Sequence, residues 1–193
     1  VLPEDSDIFG DQVVMKYLGL GDDSVCLMQP VAAEATVEAT YPLAFNVQML
    51  EDAGLEDPRD LYERGEWTWD KFIEYAQALT VDTDGDGVSD QYGYAGFEQE
   101  TAMCLIMSNG GVVAGGTEQT LTSPEVGEAL QMMYDMYNTY NCCAPYNMED
   151  NTGDSRNLYT AGKLGFRLVT VTTITMVLSV THWNLILLML HGL

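Results

Sequence analysis

The chain has 193 residues, with 30 Asp and Glu against 7 Lys and Arg, and a formal net charge of −23. That length holds one ordinary domain or one large lobe of a bigger protein, and an apolar fraction of 47% excludes disorder by composition. So strong a negative charge repels nucleic acid and anionic membrane surfaces, which leaves cations and neutral polar ligands as partners.

Residues 1–30 are acidic and loop-rich, with one apolar run at Val13–Leu20, and residues 31–40 are small and β-branched. Tyr41–Phe45 is apolar and reads as a buried strand. Asn46 is placed to cap a short helix through Ala53, and Gly54 to stop it in a left-handed conformation. Pro58 follows beyond that end. Thr68 caps a second helix, in which Trp69, Phe72, Ile73, Ala76 and Leu79 form one apolar stripe. Asp70 in its first turn suits the helix dipole. Trp69 on that stripe is expected in the core. Trp67 precedes the cap and is expected to pack as a hydrophobic staple. An acidic loop, Asp82–Asp90, comes next. Tyr92–Phe97 reads as a strand. Thr101–Ser108 reads as a helix ended by Asn109, Gly110 and Gly111, and Gly115–Gly116 as a hairpin turn. Ser123 and Pro124 start a helix that runs to about Tyr140, with Val126, Leu130, Met133 and Tyr137 on one face. A short helix near Leu158–Ala161 ends at Gly162. Helices and short strands alternate, so the class is α/β.

The run Asp82–Asp90 places Asp82, Asp84, Asp86 and Asp90 at loop positions one, three, five and nine, with Gly87 at position six. Alternate carboxylates around a glycine turn aim at one hard cation, with the Val88 carbonyl as a further ligand. Position twelve should hold a bidentate acid and holds Gly93. Calcium binding and a polar turn that solvates its own charges both fit this pattern. In either case the loop is expected to be structural. The cysteines, Cys26, Cys104, Cys142 and Cys143, form no CxxC pair and no zinc pattern, and are expected as free or buried thiols. The chain begins at Val1 with no basic-then-apolar leader, so a processed chain or an excerpt is expected.

Several segments, in order and spacing, resemble one family. They are YPLAFNVQMLEDAGLEDP, GEWTWDKFIEYAQALT, DTDGDGVSDQYGYAGF, SNGG, SPEVGEALQMMYDMYNTY and LYTAGKLGF. The Asn after the first strand, the AGL helix end and the TWDKF helix are its most specific marks. The chain over residues 25–165 resembles the extracellular solute-binding proteins of sugar-type ABC importers. That resemblance implies a periplasmic-binding-protein-like type II α/β fold, here mostly the second lobe and incomplete. Residues 1–40 would be the end of the first lobe and a crossing segment, and residues 41–165 the second lobe. The implied function is non-catalytic binding of a sugar or oligosaccharide for delivery to an ABC transporter permease. The implied location is extracellular, as a cell-surface lipoprotein or in the periplasm. A chain holding little of one lobe is expected to be impaired in binding.

Sugars are held by aromatic faces and by carboxylates and amides that bond their hydroxyls. By family position, Glu98, Gln99, Glu100 and Thr101 form a cleft-facing loop, and Glu38, Thr40 and Tyr41 line the crossing segment. Two other functions compete. A carbohydrate-active enzyme with paired carboxylates is one, although no GxSxG, HExxH or phosphate loop is present. A calcium-dependent structural or adhesion module, resting on the Asp-rich loop, is the other.

The last segment, residues 166–193, differs in kind. Every acid lies at or before Asp154, giving a net of −26 to that point, and a net of +3 from Ser155 onward. Leu168–Leu190 has no formal charge, yet 11 of its 23 residues are Val, Ile or Thr. A frameshifted tail, a membrane span and buried strands are the three readings, and translation of the other two reading frames separates them.

Overall fold

The computed structural model describes residues 42–113, 120–145, 153–169 and 183–186. Among them, four strands form one mixed sheet: β1 (Leu43–Asn46), β2 (Tyr92–Tyr94), β3 (Leu164–Leu168) and β4 (Trp183–Ile186), in the order β2–β3–β1–β4. β2 and β3 are parallel, whereas β1 is antiparallel to both β3 and β4. Residues 142–144 add a parallel rung beside β2. The Tyr94 N–H donates to the Cys142 carbonyl at 2.9 Å, and the Ala144 N–H donates to the Tyr94 carbonyl at 2.8 Å.

Strand alternation sorts the side chains onto two faces. Leu43, Phe45, Tyr94 and Phe166 enter the larger core, and Ala44, Ala95 and Val169 the smaller one, while Leu164, at the very start of β3, departs from this alternation and joins the smaller core. The helices are α1 (Val47–Asp52), α2 (Pro58–Glu63), α3 (Trp69–Ala78), α4 (Glu98–Ser108), α5 (Pro124–Asn138) and α6 (Gly153–Thr160). α3, α4 and α5 supply Phe72, Ile73, Leu105, Ile106, Val126 and Met136 to the larger core, while Tyr159 of α6 closes the smaller. Arg167 is buried on β3, with its guanidinium 5.4 Å from the Tyr159 ring centre.

The caps form as their residue types dictate. The Asn46 side chain accepts the Met49 N–H at 3.3 Å, and Gly54 (φ 68°) ends α1. Thr68 accepts the Lys71 N–H at 3.3 Å, and Ser123 accepts the Val126 N–H at 3.4 Å. Trp67 and Phe72 meet edge-on across the Thr68 cap at 6.3 Å, which is the staple.

Other expectations shift. Pro58 not only follows a helix end but opens α2, with Asp57 as its cap. The second strand stops at Tyr94, and the following helix begins at Glu98 rather than Thr101. Trp67 is the deeper tryptophan, at 1% exposure. Trp69 is half-buried and donates its ring N–H to Ser108 Oγ at 3.1 Å. The buried face of α5 is Val126, Ala129 and Met136, and Leu130 points to solvent. The register of helix packing, not hydrophobicity alone, chose between neighbouring stripes. The Gly115–Gly116 turn lies outside the described residues. So does the tail, apart from residues 166–169 and β4.

Candidate functional site

β2 and β3 run parallel, so their carboxyl ends reach the same edge of the sheet. β1, antiparallel to β3, starts at that edge, where the Val169 N–H donates to the Pro42 carbonyl at 3.0 Å. Open α/β sheets bind ligands beyond the carboxyl ends of their parallel strands. One of the predicted groups belongs to this edge by chain position. Residues Glu98–Thr101 follow β2. Glu38, Thr40 and Tyr41, the other group, lie outside the described residues.

Glu98–Thr101 is the first turn of α4, not a loop. Its two acids sit where the helix dipole favours negative charge. Glu98 and Gln99 are exposed and Glu100 is half-buried, so all three present polar groups at the edge. Thr101 differs from the expectation of a ligand contact. It is 3% exposed, its hydroxyl donates to the Phe97 carbonyl at 2.7 Å, and it lies 2.6 Å from the Tyr94 hydroxyl. Its chemistry is spent inside the lobe, because the fourth residue of a helix faces back toward the turn before it.

Beneath α4 lies a cavity of about 40 Å³ lined by Phe72, Tyr94, Thr101, Cys104, Ser108 and Met136. It is far below the several hundred Å³ of a ligand pocket, so it is a packing gap rather than a sugar site. A shallow groove of about 400 Å³, lined by Tyr92, Pro145, Asn157 and Leu158 among others, contains none of the predicted site residues.

The acidic loop sits at the other edge. A Val81–Gln91 bridge closes it just before the amino end of β2, and the Lys163 ammonium at the start of β3 lies 3.9 Å from Asp90. It therefore faces away from the carboxyl-end edge. Carboxylate oxygens of Asp82, Asp84 and Asp86 lie within 4.8 Å of one another. Each also accepts loop N–H groups. Asp82 takes those of Gly85 (2.7 Å) and Gly87 (2.8 Å), Asp84 that of Asp86 (3.1 Å), and Asp86 that of Val88 (2.8 Å). Asp90 is turned away, bonded to the Thr83 N–H at 2.8 Å and to the Thr83 hydroxyl. The Gly87 and Gly85 N–H groups hold the Asp82 carboxyl below the usual range. The Thr83 hydroxyl, then its N–H, does the same for Asp90. Three carboxylates with the Val88 carbonyl suit a hard cation in donor type, but they fall short of a full calcium shell without water.

Cys104, Cys142 and Cys143 are free thiols, and Cys26 lies outside the described residues. Burial pushes the Cys104 thiol up to about 11, which makes it a poor nucleophile at neutral pH. The hydrogen bond between the adjacent thiols pushes Cys143 well up and Cys142 down. Two glycines approached closely by other groups are Gly96, to which the sequence reading assigns no role, and Gly93, which it names only as the residue at position twelve of the acidic loop. Their signal is the close glycine spacing in the run Tyr92–Gly96, which marks backbone approached from outside.

Residues 15–163 match the family of bacterial extracellular solute-binding proteins. The chain belongs to that family. Its members bind solutes outside the cytoplasm and are generally not enzymes. The fold is that of the type II periplasmic-binding-protein-like proteins, in part. UspC of M. tuberculosis aligns at a TM-score of 0.62 and 23% identity, over 77% of this chain and 41% of that one. A solute-binding protein of an ABC transporter from Thermotoga lettingae, bound with α-D-tagatose, aligns at 0.58 and 19%, over 75% and 38%. The maltose/maltodextrin-binding domain MalE of Bdellovibrio bacteriovorus, bound to maltotriose, aligns at 0.60 and 15%, over 75% and 35%. The chain thus spans about two fifths of the length of these relatives. Comparison with curated protein sequences gives no match. Among the described residues, no helix is long and apolar enough to cross a membrane.

Proposed function

We propose that the protein captures a sugar or oligosaccharide between two α/β lobes, leaves it chemically unchanged, and delivers it to an ABC transporter permease. It works outside the cytoplasm, at the cell surface as a lipoprotein or in the periplasm. The present chain supplies most of the second lobe over residues 41–165, with the end of the first lobe and a crossing segment before it. The observation that carries this reading is the first turn of α4. It offers two carboxylates and an amide, Glu98, Glu100 and Gln99, at the carboxyl-end edge of a type II lobe. Such groups accept hydroxyl hydrogen bonds, and closure of two lobes would shield those bonds from water. Relatives of the same fold have been seen with maltotriose and with cycloalternan.

The test is calorimetry on the protein carrying both lobes, against maltotriose, cycloalternan and α-D-tagatose. One sugar is expected to bind one-to-one and to be recovered intact. Glu98→Gln or Gln99→Ala should weaken that binding by about tenfold, the order expected for one charged or well-placed hydrogen bond. Turnover of the sugar without a stable complex would overturn the proposal.

The clustering of three carboxylates within 4.8 Å supports a second, structural role. We propose that Asp82, Asp84, Asp86 and the Val88 carbonyl hold a calcium ion weakly, with Asp90 bracing the loop from outside.

A further inference from the structure

Tyr94 ends β2 with its side chain in the larger core. It is 2% exposed, and its ring meets Phe72 edge-on at 5.8 Å. Its backbone is held on both sides, by residues 142–144 and by its register with Phe166 on β3. It is a fixed point of the lobe. Its hydroxyl lies 2.6 Å from Thr101 Oγ1, and that oxygen lies 2.7 Å from the Phe97 carbonyl. A hydroxyl has one proton to give. Thr101 gives its proton to Phe97, because a carbonyl can only accept. Toward Tyr94, Thr101 is then the acceptor. The direction follows: the Tyr94 O–H donates to Thr101, and the Thr101 O–H donates to the Phe97 carbonyl. Burial holds the Tyr94 hydroxyl far above its usual titration range, so it keeps the proton it donates. Gly96 makes room for the pair. A Cβ there would come within 2.5 Å of the Tyr94 hydroxyl oxygen and 3.3 Å of Thr101 Oγ1.

Phe97 caps α4 and makes no side-chain capping bond. The helix start therefore lacks the usual local lock. The two hydroxyls supply a different one, running from the end of the sheet, across the three-residue turn 95–97, to the carbonyl that begins α4. The hydroxyl adds nothing to ring packing against Phe72, which a phenylalanine would reproduce. We infer that Tyr94 and Thr101 are positioning residues whose buried relay sets the aim of Glu98, Gln99 and Glu100 at the ligand. This rests on the reading of that turn as the ligand edge.

Amide hydrogen exchange on the full 193-residue chain tests the relay without any ligand. Tyr94→Phe and Thr101→Val should each speed exchange at the Thr101 and Ala102 amides by about fivefold, the order of one lost hydrogen bond. β3 should stay within about twofold under the same principle. Thr101→Ser should restore the slow rate, and the double variant should be no faster than either single one. Equal acceleration of β3, or no acceleration at Thr101, overturns the relay. Calorimetry on the two-lobe protein, with the tightest binder among maltotriose, cycloalternan and α-D-tagatose, tests its use. Tyr94→Phe should weaken binding by about three- to fivefold, with rescue of the Thr101 site by serine but not valine. If Glu98→Gln weakens binding and Tyr94→Phe does not, positioning is overturned. If neither changes it while the exchange result holds, the ligand-edge reading is what fails.

Discussion

Two glycines set how closely α3 lies on the sheet. At Gly93 on β2, a Cβ would fall 1.9 Å from the Ala76 carbonyl oxygen at the end of α3. The Gly93 N–H donates to the Thr80 hydroxyl at 2.8 Å, drawing strand and helix end together. At Gly165 on β3, a Cβ would meet Leu79 Cδ1 at 2.6 Å and the Gly93 carbonyl at 2.9 Å. The obstacle at Gly93 is backbone, which cannot swing aside as a side chain can. Gly93→Ala should therefore destabilise the lobe by about 3 kcal/mol, at the upper end of overpacking costs. Gly127, on the exposed face of α5, is the opposite case, with nothing within 4 Å of its Cβ position. Gly127→Ala should stabilise by up to about 1 kcal/mol through helix propensity. Urea midpoints of the two variants check both signs, and a Gly93→Ala midpoint equal to that of the unaltered chain would contradict this packing.

The acidic loop shows at the element scale what was legible beforehand and what was not. Its cation-loop pattern is plain in the spacing of Asp82, Asp84 and Asp86. The missing acid at position twelve is explained only by the fold. That position is Gly93, pinned under α3, where no side chain fits. The caps at Asn46, Thr68 and Ser123 were legible because they depend on neighbours three residues away. The start of α4 was not, because its lock comes from Tyr94 on another element. The choice between Trp67 and Trp69 as the deeper ring depended likewise on long-range partners such as Phe166, 5.8 Å from Trp67.

Two measurements follow for this loop. Asp82 and Asp90 have folded pKa values below their unfolded value of about 3.9. Their contribution is then fully present above that value and is lost as pH falls through the lower folded value. The denaturation midpoint should fall from below about pH 4, and less steeply in Asp82→Asn. Added calcium should raise the midpoint with an apparent Kd on the order of 0.1–1 mM, as for weak extracellular sites. Asp84→Asn should reduce that rise. A rise that survives Asp84→Asn unchanged would remove the cluster as its cause.

At the scale of the whole molecule, charge and lobe count act separately. The net −23 favours solubility, and on the proposed reading the acids of the described residues that would meet ligand are those at the carboxyl-end edge, Glu98 and Glu100. Binding is a matter of two lobes. In a type II protein the ligand is clasped from both sides, so each lobe supplies part of the contact free energy. A micromolar complex corresponds to about −8.2 kcal/mol and a millimolar one to about −4.1 kcal/mol. If the two lobes contribute about equally, one lobe alone retains millimolar affinity. Loss of closure weakens it further, since the polar contacts of Glu98–Glu100 then compete with water. The 193-residue chain, which spans 41% of UspC, should therefore bind maltotriose, cycloalternan or α-D-tagatose no more tightly than about 1 mM. Isothermal titration, with the two-lobe protein as reference, reads the difference directly. A micromolar complex with the chain alone would mean that it holds the whole site, and that assigning residues 41–165 to a single lobe is wrong.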